Sequence, residues 1–285
     1  MLVILGAFVV LGTVLGGYAM EHGNFSVLIQ PAELVIIGGA AVGALLIQAP
    51  PKVMKMVLKD LPKLMGSKTY GKADYLEALM LMSEIFFKIR REGLISIEQD
   101  VENPKDSAIF TKYPKFLKNH HALDFITDTL RTVMSTSISY HDLDALLDAE
   151  MDSHHEEALT SSKVIANVGD ALPGLGIVAA VLGVVITMGK IDEPPAVLGH
   201  HVGAALVGTF LGILMSYGYV SPMAKNLEAI VSEEHQYMGV LKVILVAFVR
   251  GEAPQVAVEF GRRVIPGGSR PSFAEVEIEV GKIKK

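Results

Sequence analysis

The chain has 285 residues, 51% of them hydrophobic and 20% charged, with no cysteine and a formal net charge of −6. A mean hydropathy of +0.42, with the apolar residues bunched rather than spread, excludes an ordinary soluble enzyme. The missing thiols exclude disulfides, Cys-ligated zinc, iron–sulfur clusters and thiol catalysis, and the acidic balance gives no reason to expect nucleic acid as a partner.

Four runs, 2–20, 34–49, 171–189 and 199–220, contain no Asp, Glu, Lys or Arg. As helices they reach roughly 24–33 Å, close to the ~30 Å hydrocarbon core. The first lacks a basic leading segment and is too long for a secretory signal, so it reads as a retained span. The runs form two hairpins, linked by residues 21–33 and 190–198. The first link holds no Lys or Arg and the second only Lys190, whereas Lys52, Lys55, Lys59, Lys63, Lys68 and Lys72 follow the second span. Positive charge stays on the cytoplasmic side, so both large polar segments and the N-terminus are expected in the cytoplasm.

This organisation predicts an all-α membrane protein. Residues 1–50 form the first transmembrane hairpin, 51–169 a helical cytoplasmic domain, 170–222 the second hairpin and 223–285 a helical cytoplasmic tail. Pro50–Pro51 stops the second span, Pro194–Pro195 turns the second hairpin, and Pro222 marks the cytoplasmic end of the fourth span, because proline lacks the helical N–H and restricts its predecessor. Helical spacing of Leu76, Leu79, Met80, Phe86 and Ile89, and of Leu123, Ile126, Leu130 and Val133, predicts helices over 72–91 and 119–137. Asp142 is expected to cap a long helix leading into the third span. The fourth span continues past Pro222 without a break, and a short helix follows at 256–264. The charged residues 271–285 read as loosely attached.

Small residues recur every four positions in the spans: Gly12/Gly16, Gly39/Gly43, Ala179/Gly183 and the stripe Ala204/Gly208/Gly212/Ser216. Such spacing lets helix backbones approach closely in lipid. Gly174, Gly176 and Ala179 match the dinucleotide pattern GxGxxA, but they lie inside an apolar span with no preceding strand, which rejects that reading. His155-Glu156 opens like a zinc-protease HExxH, yet Leu159 stands at the last position. The nine histidines show no ligand spacing worth a metal site, and no nucleophile–base arrangement or phosphate loop stands out.

Intramembrane ionisable groups mark ion routes, and the four runs are free of Asp, Glu, Lys and Arg. Thr187, Thr209, Ser216, Tyr217 and the outer His200/His201 are the remaining polar candidates. The ordinary role of Ser216 is a bond back to its own helix. A carboxylate that carries protons must then come from another chain. Asp170 and Pro173 open the third span, either as an ordinary helix start or as a hinge where the proline removes one backbone bond.

Four stretches in order resemble the MotA-type stator subunits of the bacterial flagellar motor, over almost the whole chain. They are Ile89–Leu94 with Ile97–Pro104, Val168–Pro173 with Ile177–Val185, Val207–Leu214 with Ser221-Pro222, and Ala257–Arg262 with Arg270–Phe273. The resemblance implies a ring, a pentamer in that family, around two copies of a MotB-type single-span partner that brings the membrane carboxylate. It implies no cofactor, a transported ion that is more simply H+ than sodium, and no enzymatic activity. By the same resemblance Arg90 and Glu98 engage the rotor protein FliG, Ala180 and Thr209 line the ion path, and Pro173 and Pro222, with Asp170, belong to the coupling hinge. Gln99 departs from the arginine expected beside Glu98. A sodium-driven subunit, a TolQ/ExbB-like energiser (a class with three spans rather than four) and a stand-alone channel or scaffold are the alternatives.

Overall fold

The structure is a computed structural model and describes residues 2–66 and 69–283; Lys68 of the basic run lies outside them. Every described element is helical, and four helices are long and apolar enough to cross a membrane.

Helix α1, Leu2–Met20, is apolar on all sides and none of its residues is buried within the chain, as a lipid-facing helix requires. A short turn of helix, α2 (Phe25–Leu28), follows, with the Asn24 side chain accepting the Ser26 N–H at 3.0 Å. Helix α3, Pro31–Gln48, begins three residues before the charge-free run and so takes Glu33 into its first turn. Proline suits the first helical position and an acid suits the positive end of the helix, which is why the helix extends back across residues that read as a polar link.

Pro51 opens α4 (Pro51–Asp60), and α5 (Lys63–Gly66) follows. Helix α6 spans Lys72–Glu92; α7 (Glu98–Glu102), α8 (Pro114–Leu117) and α9 (His120–Ser135) come next. Helix α10 runs unbroken from Tyr140 to Met188, with Pro173 inside it. The cap at its start differs from expectation. The Ser139 hydroxyl accepts the Asp142 N–H at 3.2 Å and donates to the Asp142 carboxylate at 2.6 Å. Asp142 therefore sits inside the first turn and completes a reciprocal pair, while Ser139 caps.

The second hairpin continues with α11 (Pro195–Ile213), a π-helical segment (Leu214–Val220) and α12 (Ser221–Val249). The Ser221 N–H reaches back five residues to the Ser216 carbonyl, and Pro222 follows directly. The wider turn absorbs the missing donor of the proline, so the helix passes it without a break. Helices α13 (Pro254–Val264) and α14 (Phe273–Ile283) close the chain.

The described residues divide into two compact units, one from 1–67 and 157–231, the other from 68–156 and 232–285. The first holds the membrane helices with α4 and α5. Ile37, Ala41, Leu172 and Ala179 form one buried cluster there, and Val57, Leu64, Ile165, Ala224 and Leu227 another. The second has a continuous core that includes Leu79, Met82, Phe86, Ile126, Leu143, Leu147, Leu241 and Ile244. Residues 271–283 are not loose. Val276 and Val280 share one face of α14 and are buried in that core, Glu275 pairs with Lys72 at 2.6 Å, and Arg262 donates to the Pro271 carbonyl at 3.1 Å.

Candidate functional site

The membrane spans of α10 and α11 meet through residues with little or no side chain. A Cβ built on Gly176 would lie 2.7 Å from the Gly208 carbonyl oxygen, and one built on Gly183 would lie 2.7 Å from the Ala205 Cβ. The packed face against Gly176, Ala179 and Gly183 is therefore Gly208 and Gly212 of the stripe together with Ala205, which takes the place that the four-residue spacing gave to Ala204. The GxGxxA pattern serves this contact: Gly176 is small because the backbone of α11 passes there.

Ala180 and Thr209 border the same contact. Gly208 approaches the Ala180 backbone nitrogen so closely that a Cβ on it would lie 3.1 Å away, and Thr209 is the next residue along. Both side chains are half-buried. Thr187 spends its hydroxyl on the Gly183 carbonyl at 2.8 Å. Ser216 does not form the back-bond expected of it. Its hydroxyl is fully buried and has no hydrogen-bond partner. At the hairpin's turn, Lys190 Nζ lies 3.0 Å from His201 Nε2.

One acid does enter the membrane bundle, contrary to the sequence reading. Glu33 is 8% exposed, and its Oε2 has no hydrogen-bond partner. That oxygen lies 2.5 Å from a Cβ built on Gly208, and Oε1 lies 3.7 Å from one built on Gly183. The residue escaped notice because it stands just outside a charge-free run in the sequence. The signal that could have found it is Pro31 two residues earlier, a helix start that carries Glu33 inward.

The two prolines converge on one contact. Pro173 deprives the Gly169 carbonyl of its helical donor, and Gly169 faces Ser221, whose hydroxyl would lie 2.8 Å from a Cβ on Gly169. Pro222 follows Ser221. Asp170 and Pro222 are exposed, and Pro173 is half-buried.

In the second unit, Arg90 near the end of α6 is exposed and donates to the Gly251 and Glu252 carbonyls at 3.0 and 3.3 Å. Gly93 has φ of +89°, which turns the chain sharply and leads to Glu98, exposed at the start of α7. Ile97 beside it is fully buried. Lys88 pairs with Asp100 at 2.7 Å, and the Ser107 hydroxyl donates to the other Asp100 oxygen at 2.6 Å. Arg131 holds Glu102 at 2.7 Å. Glu98 thus projects from a short helix pinned on both sides. Near α13, hydrogen bonds from Arg262 and Arg263 hold the Glu259 carboxyl down at about 2.

The histidines are less scattered than their spacing suggests. His121 and His154 stack at 3.6 Å between ring centroids, and His155 lies 4.4 Å from His235. His121 Nδ1 is 3.3 Å from Glu234, and the ligating atoms of His121, His154 and Glu234 all lie within 4.8 Å of one another. Three helices bring them together, which sequence spacing cannot show. Burial holds His235 below the usual histidine value, with His155 adding to the effect.

Residues 4–93 match the family model "Motility protein A N-terminal", and residues 118–239 match "MotA/TolQ/ExbB proton channel family". The chain is 45% identical over 284 residues to Motility protein A of Escherichia coli strain K12, covering 100% of this chain and 96% of the relative. The chain belongs to the motility protein A family. Within that family, Motility protein A of Salmonella typhimurium is 44% identical over the same share of each chain. Chemotaxis protein LafT of Vibrio parahaemolyticus is 35% identical over 96% of each. The fold is that of two solved family complexes. One is C. jejuni MotAB, with a TM-score of 0.78 and 17% identity over 95% of this chain and 98% of the other. The second is the flagellar MotAB stator complex of Bacillus subtilis, with a TM-score of 0.75 and 23% identity over 92% and 95%. As a family member with four apolar helices, the protein is a multi-pass membrane protein.

Proposed function

We propose that this chain is the stator subunit of a bacterial flagellar motor, which with a MotB-type single-span partner forms an ion channel and turns ion-motive force into torque on the rotor. The observation that carries this reading is the unbroken match to Motility protein A of E. coli, 45% identical from end to end. The chain encircles its partner as a homo-oligomer, a pentamer as in the family, in the inner membrane, with its large segments and termini in the cytoplasm. Protons pass between Ala180 and Thr209 to the partner's carboxylate, and no cofactor takes part. One charge moved through 100 mV releases about 2.3 kcal/mol, so several transfers suffice for a conformational stroke.

The stroke reaches the rotor through the long helices. Pro173 and Pro222, which flank the Gly169–Ser221 contact, give α10 and α12 a place to bend, with Asp170 at the water-exposed face of that hinge. Arg90 and Glu98 meet the charged surface of FliG. The exposed apolar surface of α1 supports a helix facing lipid.

The decisive experiment is co-purification of the native complex followed by reconstitution. A single-span companion with a membrane carboxylate, and no proton conduction by this chain alone in liposomes, is the expected result. Conduction by the chain alone, or a native complex of this one subunit, would overturn the reading in favour of a stand-alone channel. Torque that follows the sodium gradient instead of the proton gradient would overturn the ion assignment.

A further inference from the structure

Within the described residues of the membrane unit, Glu33 is an acid placed among glycine and alanine where water is scarce. Its side chain is 8% exposed, and Oε2 has no hydrogen-bond partner. The surfaces that meet it come from two helices. Gly208 on α11 leaves room for the carboxylate in this position because it has no Cβ, which would fall 2.5 Å from Oε2, while Gly183 on α10 lies at ordinary contact, 3.7 Å from Oε1 to a Cβ built on it. Neither residue offers a counter-charge. Lys190, the basic residue at the turn of the same hairpin, is already engaged with His201 Nε2 at 3.0 Å.

An ionised carboxylate left unpaired in such a place is costly, so something must neutralise it there. A hard metal cation collects several oxygen ligands, and the glycine and alanine contacts supply no side-chain oxygen. A proton needs only the carboxylate itself. Gly208 also joins this spot to the proposed path, since it adjoins Thr209 and packs on the Ala180 backbone.

We infer that Glu33 is a proton-binding site of this chain itself, a second titrating carboxylate beside the Ala180–Thr209 path that loads and unloads a proton during ion transfer. The inference rests on the stator reading above. In the loading step the carboxylate oxygen forms an O–H bond with a proton released by water or hydronium. In the unloading step that bond breaks and the proton passes to water on the way to the partner's carboxylate; no electron moves.

The test uses the complex of the full chain with its single-span partner, the partner's membrane acid replaced by its amide so that its carboxyl signal is removed. Infrared difference spectra across a pH titration should show a carboxyl C=O band that is lost in Glu33→Gln and shifted in Gly208→Ala, where the new methyl displaces the carboxylate. With an unmodified partner, Glu33→Gln should lower proton flux and swimming torque at least about a hundredfold, the lower end of what a positioned proton-transfer group contributes. Glu33→Asp, which keeps the acid one methylene short, should restore part of both.

A Glu33→Gln complex that assembles and drives rotation at full speed, with the same spectra as the original, overturns the inference and leaves the stator reading standing. Should Glu33→Gln fail to assemble, the unsubstituted chain decides: no titrating carboxyl band in its partner-amide complex also overturns it. A band that answers sodium concentration rather than pH overturns the proton assignment. Failure of the unsubstituted complex to conduct or turn a motor counts against the stator reading instead.

Discussion

Gly212 faces Gly176 so closely that a Cβ built on it would lie 2.8 Å from the Gly176 Cα and 2.6 Å from the Leu172 carbonyl oxygen. These are backbone atoms of α10, which cannot swing aside as a side-chain tip does. Gly212→Val should therefore push the two membrane helices apart at a cost of about 1–3 kcal/mol, the range for overpacking a close contact. The expected outcome is a lower melting temperature and a reduced yield of assembled complex. Gly12→Val is the control, because nothing lies within 4 Å of a Cβ there in the single chain. Equal behaviour of the two variants would mean that the α10–α11 contact does not set stability.

The two rotor-facing candidates differ in what holds them, and this separates their substitutions. Glu98 is exposed on a pinned helix, so Glu98→Ala should reduce torque while the melting temperature stays put, as for most surface changes. Arg90 also ties α6 to the turn after α12 through the Gly251 and Glu252 carbonyls. Arg90→Ala should reduce torque and cost about 1 kcal/mol of stability as those bonds are lost. Torque measured on tethered cells, with melting of the purified complexes, checks both. Unimpaired swimming in each single variant and in the double would remove these residues from the rotor contact.

Pro173 lies inside α10 and denies the Gly169 carbonyl its helical hydrogen bond. Pro173→Ala should return that donor, so assembly is retained and the helix is stiffer. Rotation should slow, because the stroke then has to bend an intact helix beside the Gly169–Ser221 contact. Bead-assay speed with co-purification yield is the measurement, and full speed at normal yield would refute the hinge.

Much of the fold was legible because lipid imposes simple demands. A span must be long, apolar and internally bonded, so the membrane parts of α1, α3, α10 and α11 stand out as charge-free runs, and Gly208 and Gly212 of the small-residue stripe mark the packed face of α11. Glu33 was missed because a charge-free run is a test of composition, whereas a helix begins where its caps allow. Pro31 allowed it earlier, and the carboxylate followed the chain inward. The end of the chain misled for a related reason. Val276, Ile278 and Val280 alternate with Glu275, Glu277 and Glu279, a spacing that shows no helical stripe, yet Val276 and Val280, one turn apart, face the core and dock α14. The histidine cluster was illegible in principle, since His121, His154, His155 and His235 come from three separate helices. The π-helical turn before Pro222 has no sequence mark apart from the proline that it accommodates.

That histidine cluster gives the molecule a defined response to acid. His235 is held below the usual histidine value first by burial and then by His155, with Asp152 and Asp148 opposing. The unfolded chain therefore takes up the His235 proton before the folded one does. By linkage, this group's contribution is intact above the unfolded value near 6.5 and is lost as pH falls from there towards the lower folded value. Glu150, raised by burial with help from Asp128, works in the other direction, because its folded form accepts a proton more readily. The slope of the unmodified protein is the sum of these and other titrations, so the informative quantity is a difference. His235→Gln should lessen the fall in melting temperature between about pH 8 and about pH 5, the interval in which histidine changes charge, while the Glu150 contribution cancels between the two proteins. Parallel melting curves across that interval would show that His235 binds its proton equally well in the folded and unfolded chain, and the packing of His155 against His235 would then carry no electrostatic consequence.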